Sequence, residues 1–157
     1  MVILSNSSTK YEFYLDKIVL HSQSVRYRVL GKKACSYTTK EYNDFKRLIK
    51  SSVNTTEWYE PSINGTFKLE IVYPIRSVDI SKRKSGDIVK DIIVFNSPKI
   101  SKPDVDNIAK SILDALSGII YEDDQVLHDL HLIKKYSDNI EDKKIKIKIS
   151  WENNDII

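Results

Sequence analysis

The segment Lys102-Pro103-Asp104-Val105-Asp106-Asn107-Ile108-Ala109-Lys110-Ser111-Ile112-Leu113-Asp114-Ala115-Leu116, followed by Glu122-Asp123-Asp124, gathers carboxylates around a lysine. From Asp104 to Asp129 the acids are Asp104, Asp106, Asp114, Glu122, Asp123, Asp124 and Asp129, against Lys110 alone. Elsewhere the chain is basic, and its formal net charge is +3. Carboxylates that converge repel one another unless a cation neutralises them. Hard oxygen donors with no His or Cys nearby favour Mg²⁺ or Mn²⁺ over zinc. An ion so held can polarise a phosphodiester and generate hydroxide for attack. Lys110 can then stabilise charge on the phosphate or orient the attacking water. An acidic knot in a basic chain suggests chemistry on a polyanion.

Local structure must bring these groups together. Pro103 biases Lys102 toward extended geometry. On an extended approach, side chains two residues apart share a face, so Asp104 and Asp106 can point to the same side. A helix opening at Val105 or Asp106 and ending at Ser117, with Gly118 at its C-cap, follows from the residue pattern. It sets Asp106, Lys110 and Asp114 at i, i+4 and i+8 on a polar stripe, with Ile108, Ile112, Leu113 and Leu116 opposite. Asp123 and Asp124 lie past Gly118, where the chain can fold back beside the start of the helix. Plainer roles stay open for the same residues. Asp104 or Asp106 can serve as helix caps, and Asp106–Lys110 and Lys110–Asp114 as i,i+4 ion pairs. Glu122-Asp123-Asp124 also suits an exposed turn.

The remaining elements read as a mixture of strands and helices. Tyr14–His21 and Val25–Leu30 are β-branched and aromatic, which predicts two strands, and Gly31-Lys32-Lys33 looks like a turn. Thr38 or Thr39 caps a helix reaching about Val53, with Tyr42, Phe45, Leu48 and Ile49 at helical spacing. Its other face carries Lys40, Lys46, Arg47 and Lys50, either solvated or touching phosphate. Residues 54–65 read as a loop and Thr66–Arg76 as a strand. A turn at Lys82–Asp87 and a short strand at Ile92–Phe95 are expected next, then strands at Val126–Lys135 and Lys143–Trp151. The expected class is α/β (α+β): one domain with a mixed sheet and two main helices, behind a disordered lead-in over residues 1–10.

At 157 residues the chain is large enough for one hydrophobic core. Its lone cysteine, Cys35, excludes an intrachain disulfide and a thiolate zinc cluster. Met1–Lys10 lacks the pattern of a signal peptide, and no apolar run approaches membrane-spanning length. A soluble, cytoplasmic protein is expected. His128 and His131 stand three apart in a predicted strand and so face opposite sides, which argues against joint chelation. With His21 they read as ordinary histidines. Tyr11, Tyr14, Tyr27, Tyr37 and Tyr42 interleave with Arg26, Arg28, Lys32 and Lys33, a pattern that suits either aromatic packing or contact with unpaired bases and phosphates.

Lys102-Pro103-Asp104-Val105-Asp106-Asn107-Ile108-x-Lys110, then Asp114-Ala115-Leu116-x-Gly118, then Tyr121-x-Asp123-Asp124, resembles the signature of the RusA family of Holliday junction resolvases. These are endonucleases associated with phages and prophages. The resemblance implies a RusA-like fold and a homodimeric, Mg²⁺-dependent enzyme, acting in the host cytoplasm, that nicks four-way DNA junctions symmetrically in recombination and repair. By position Asp104, Asp106 and Asp124 match the family's catalytic, metal-binding carboxylates, and Lys110 its essential lysine. Asp123 could substitute for Asp124 as ligand, and Lys134 matches a basic position. Two departures stand out. The family's Pro-Pro-Ser-x-Asn element is replaced by His21-Ser22-Gln23-Ser24-Val25, and Asp-Asp-x-Gln by Asp123-Asp124-Gln125-Val126. Competing readings are a non-catalytic branched-DNA-binding protein, a metal-dependent phosphohydrolase on small phosphates, and an adaptor with a solvated acidic helix.

Overall fold

In the computed structural model the described residues are 7–16, 25–75 and 96–153. Alternation of apolar and polar side chains builds the main sheet. Ile145, Ile147, Ile149 and Trp151 on β6 (Ile145–Asn153) are buried, while the intervening Lys146, Lys148 and Ser150 are only half-buried. Phe67, Leu69 and Ile71 of β4 (Thr66–Tyr73) and Phe13 and Leu15 of β1 (Ser7–Leu15) join the same core. With β5 (Leu130–Tyr136) they form a four-stranded sheet of order β1-β6-β4-β5. β6 runs antiparallel to both β1 and β4, whereas β4 and β5 are parallel, with Leu69 opposite Leu132. β2 (Val25–Leu30) and β3 (Lys33–Thr38) make a separate antiparallel hairpin, turned by Gly31 at φ +64.

Parallel neighbours need a crossover, and here it contains α2 (Val105–Leu116). Ile108, Ile112, Ala115 and Leu116 are completely buried, and Leu113 nearly so. α1 (Lys40–Ser52) buries Tyr42, Phe45 and Ile49 and packs on α2. Its N-cap is Thr39, whose hydroxyl accepts from the Tyr42 amide at 3.3 Å. Phe67 stacks on Trp151 at 6.0 Å and meets the ring of Tyr121 edge-on at 5.9 Å. That aromatic contact ties the segment after α2 to the sheet. The other sheet face is polar and held by charge pairs such as Lys68–Glu70 at 2.8 Å and Lys135–Glu70 at 3.3 Å.

The expected class holds: one mixed sheet with two helices, α1 and α2, lying close to their expected limits. Several boundaries move. β1 begins at Ser7, within the stretch read as a disordered lead-in, because its residues pair with β6 from Ser7↔Asn153 onward. Of the strand expected at Tyr14–His21, Tyr14 and Leu15 belong to β1, and residues 17–21 lie outside the described residues. β3 replaces an expected connection. β5 starts at Leu130 rather than at the expected Val126, which closes a 3₁₀ turn over Asp124–Val126. The turn at Lys82–Asp87 and the strand at Ile92–Phe95 fall outside the described residues. Among the described residues no helix is long and apolar enough to cross a membrane.

Removing a buried α2 side chain should therefore weaken the whole molecule. Ile112→Ala is expected to lower stability by about 2–5 kcal/mol, read as a lower urea midpoint with an unchanged slope.

Candidate active site

Asp104 is the residue from which the site is built. It occupies the N-cap of α2 in extended geometry (φ −68, ψ 140), and its backbone carbonyl accepts from the Ile108 amide at 3.3 Å. Its carboxylate makes no capping hydrogen bond. A capping Asp contributes about 1 kcal/mol to a helix, and Asp104 forgoes that bond while remaining exposed. One turn on, Asp106 and Lys110 are also exposed. Among the described residues neither i,i+4 ion pair on this stripe, Asp106–Lys110 or Lys110–Asp114, is formed. The plain helix-stabilising roles open to these residues are thus largely unused.

The approach to Asp104 is fastened by Lys134 on β5. Its ammonium donates to the Ser101 carbonyl at 2.8 Å and also to the Pro103 carbonyl. Burial lowers the Lys134 pKa, as does nearby Lys99, while the Asp104 carboxylate opposes the shift. Lys99 is itself buried, with its ammonium 4.9 Å from the ring centre of Tyr73 and 5.2 Å from that of Tyr136. Lys134 of β5 therefore fixes the start of α2 by binding main-chain carbonyls rather than the Asp104 carboxylate, which acts on it only through its charge.

A second group of charges lies further along the helix. Gly118, at φ +75, lets the chain reverse after Ser117. Tyr121 then drops into the core and its hydroxyl donates to the Leu113 carbonyl at 2.8 Å. Burial raises the Tyr121 pKa, and the charges of Asp124, Asp114 and Asp123 add to the rise. The Asp123 side chain accepts from the Gln125 amide at 3.1 Å and so caps the 3₁₀ turn. Asp124 is half-buried. Desolvation raises its pKa first, a hydrogen bond with Asp123 and repulsion from Asp114 and Asp123 raise it further, and Lys110 pulls it down.

These interactions locate the expected residues. Asp104 and Asp106 open α2, with Asp104 near Lys134, and Asp124 sits among Asp114, Asp123 and Lys110. Among the described residues no three His, Cys, Asp or Glu side chains are gathered at metal-holding spacing. The donor chemistry still fits a hard divalent cation: oxygen ligands only, with anionic crowding at Asp124 that a cation would relieve. His131 lies instead 3.4 Å from Asp129, and His128 precedes β5. Asp114 was read as part of a helical stripe, as a possible ion-pair partner of Lys110 and as part of the signature, without a contact to α1. It proves to be the acceptor for the Tyr42 hydroxyl at 3.0 Å and a neighbour of Asp124.

Residues 21–150 match the model of the endodeoxyribonuclease RusA family, and the chain belongs to that family. It is also similar to the Bacillus subtilis (strain 168) protein named "Uncharacterized protein YqaN", at 36% identity over 93 residues. That match covers 57% of this chain and 61% of the relative, so it spans less than two thirds of the relative's length. The matched residues include α2 and the turn after it. Residues 21–24, where the Pro-Pro-Ser-x-Asn departure lies, are outside the described residues.

Burial pushes the Tyr42 hydroxyl up to about 12, and its bond to the Asp114 carboxylate contributes to the rise. Tyr42→Phe leaves a half-buried carboxylate short of a donor. The expected loss is about 1–2 kcal/mol, measured by thermal or urea unfolding.

Proposed function

We propose that the protein is a Mg²⁺-dependent, structure-selective endonuclease that resolves four-way DNA junctions by paired symmetric nicks. The observation that carries this reading is the Asp104 carboxylate, placed at a helix N-cap without a capping bond, in a chain that belongs to the RusA family. Asp104, Asp106 and Asp124 are the residues that would hold the ion, with Asp123 as the alternative to Asp124. Mn²⁺ would serve the same oxygen donors. When bound, the cation supplies Lewis acidity toward the phosphodiester and a more acidic water.

The chain's own groups account for the rest. Lys110 carries its positive charge one turn past Asp106, in reach of charge that develops on the phosphate. Lys134 is a positioning residue: by binding the Ser101 and Pro103 carbonyls it sets the entry of the strand into α2. Tyr42, through Asp114, ties α1 to the face that bears Asp124. Paired nicks across a symmetric junction call for two sites related by a two-fold axis, which a homodimer supplies.

The test is Asp104→Asn, which keeps size and polarity while removing the charge. On a labelled four-way junction with Mg²⁺, cleavage should fall by about 100-fold or more, while binding measured in Ca²⁺ is kept or improved. Lys110→Ala should also cut cleavage strongly with binding retained. Cleavage unchanged in Asp104→Asn contradicts the assignment.

A further inference from the structure

The β2–β3 hairpin is a two-stranded sheet of its own, and every described side chain from Arg26 to Thr38 along it is exposed. Such ribbons are marginal in water by themselves. Tyr27 is 76% exposed and Tyr37 47%. Residues opposite one another in an antiparallel pair share a face. The register Arg26↔Tyr37, Arg28↔Cys35 and Leu30↔Lys33 therefore gathers Arg26, Arg28, Lys33 and Tyr37 on one face. Lys32 adds a further cation at the turn. Val25–Thr38 contains no acid, and among the described residues none of these cations has an ion-pair partner. Tyr27, Arg28, Leu30, Cys35 and Tyr37 line a groove of about 610 Å³.

The hairpin is rooted beside the candidate site. β3 ends at Thr38, whose hydroxyl donates to Asn43 Oδ1 at 3.0 Å, and Thr39 caps α1. Three residues later Tyr42 reaches Asp114, the neighbour of Asp124.

We infer that the β2–β3 hairpin is a DNA-gripping arm, holding the phosphates of a junction arm on Arg26, Arg28 and Lys33 while Tyr37 packs on bases exposed at the branch. Charge complementarity selects this occupant: every charged side chain from Val25 to Thr38 is a cation, which suits a polyanion and repels a second copy of itself. Guanidinium groups grip phosphate through paired N–H donors, and exposed tyrosine stacks on unpaired bases. A two-stranded ribbon also has the dimensions to enter a major groove. The inference rests on the endonuclease reading and names the DNA-binding side chains that reading lacks.

The experiment is a salt series of binding to a four-way junction, comparing wild type with Arg26→Ala/Arg28→Ala/Lys33→Ala. Losing three phosphate contacts should weaken binding about 10-fold or more and flatten the log K against log[salt] slope by about 2–3. Arg26→Lys/Arg28→Lys should keep most of the slope. Arg28→Glu alone, on an exposed strand, gives the same readout if the triple variant does not fold. Unchanged affinity and slope, with wild type cutting the junction, overturn the arm and leave the endonuclease reading intact. A variant altered only in its monomer–dimer equilibrium also overturns it, in favour of a self-association face. Wild type that binds no branched DNA removes both readings together.

Discussion

The parallel pairing of β4 with β5 is the constraint on which the arrangement depends. Parallel neighbours cannot be joined by a tight turn, so the chain must cross the sheet, and it does so through α2. The helix is amphipathic in the strict sense that Ile108, Ile112 and Leu116 are fully buried while Asp106 and Lys110 are exposed. Burial of one stripe therefore fixes where the acids of the other must point. Rotating the helix to hide those acids would bring Ile108 and Ile112 into water, at about 1.5–3 kcal/mol for each apolar side chain exposed. The core holds the charged face in place.

Both ends of that crossover are built with the same economy. At its start, Lys134 binds main-chain carbonyls and leaves the nearby carboxylate of Asp104 unused. At its end, Gly118 reverses the chain and Tyr121 pins the return to Leu113. The acids after Tyr121 are thereby carried back alongside the helix, toward Asp114 and Lys110. The cost appears at Asp124, whose pKa is raised by burial and by the carboxylates around it. Like charges kept close in a partly desolvated place favour a cation, and this supports a metal-dependent reading of a chain that belongs to the RusA family.

Elements punctuated by local chemistry were legible from the residues. Pro103, the Asp104 cap position and Gly118 bracket α2, and Thr39 announces α1. Elements defined by a distant partner were not. The polar Ser7–Lys10 stretch has no apolar pattern of its own and becomes strand by pairing with β6. β3 has no buried side chain, so alternation could not reveal it. The 3₁₀ turn at Asp124–Val126, fixed by the local bond from the Gln125 amide to Asp123, takes up Val126, the first residue of the stretch whose composition suits a strand. The bond of Asp114 to Tyr42 was not legible because the two are 72 residues apart. An oxygen-only donor set could be read from the cluster itself; the place of Asp124 beside Asp114 and Lys110 needed the fold.

The most direct measurement is incubation of the purified protein with an end-labelled four-way junction, with Mg²⁺ or with chelator, beside linear duplex of the same sequence. The account predicts paired symmetric nicks in the junction only, only with the metal. Equal cutting of linear duplex would contradict junction selectivity, cutting in chelator would contradict the metal site, and no cutting of either substrate would contradict the enzyme itself.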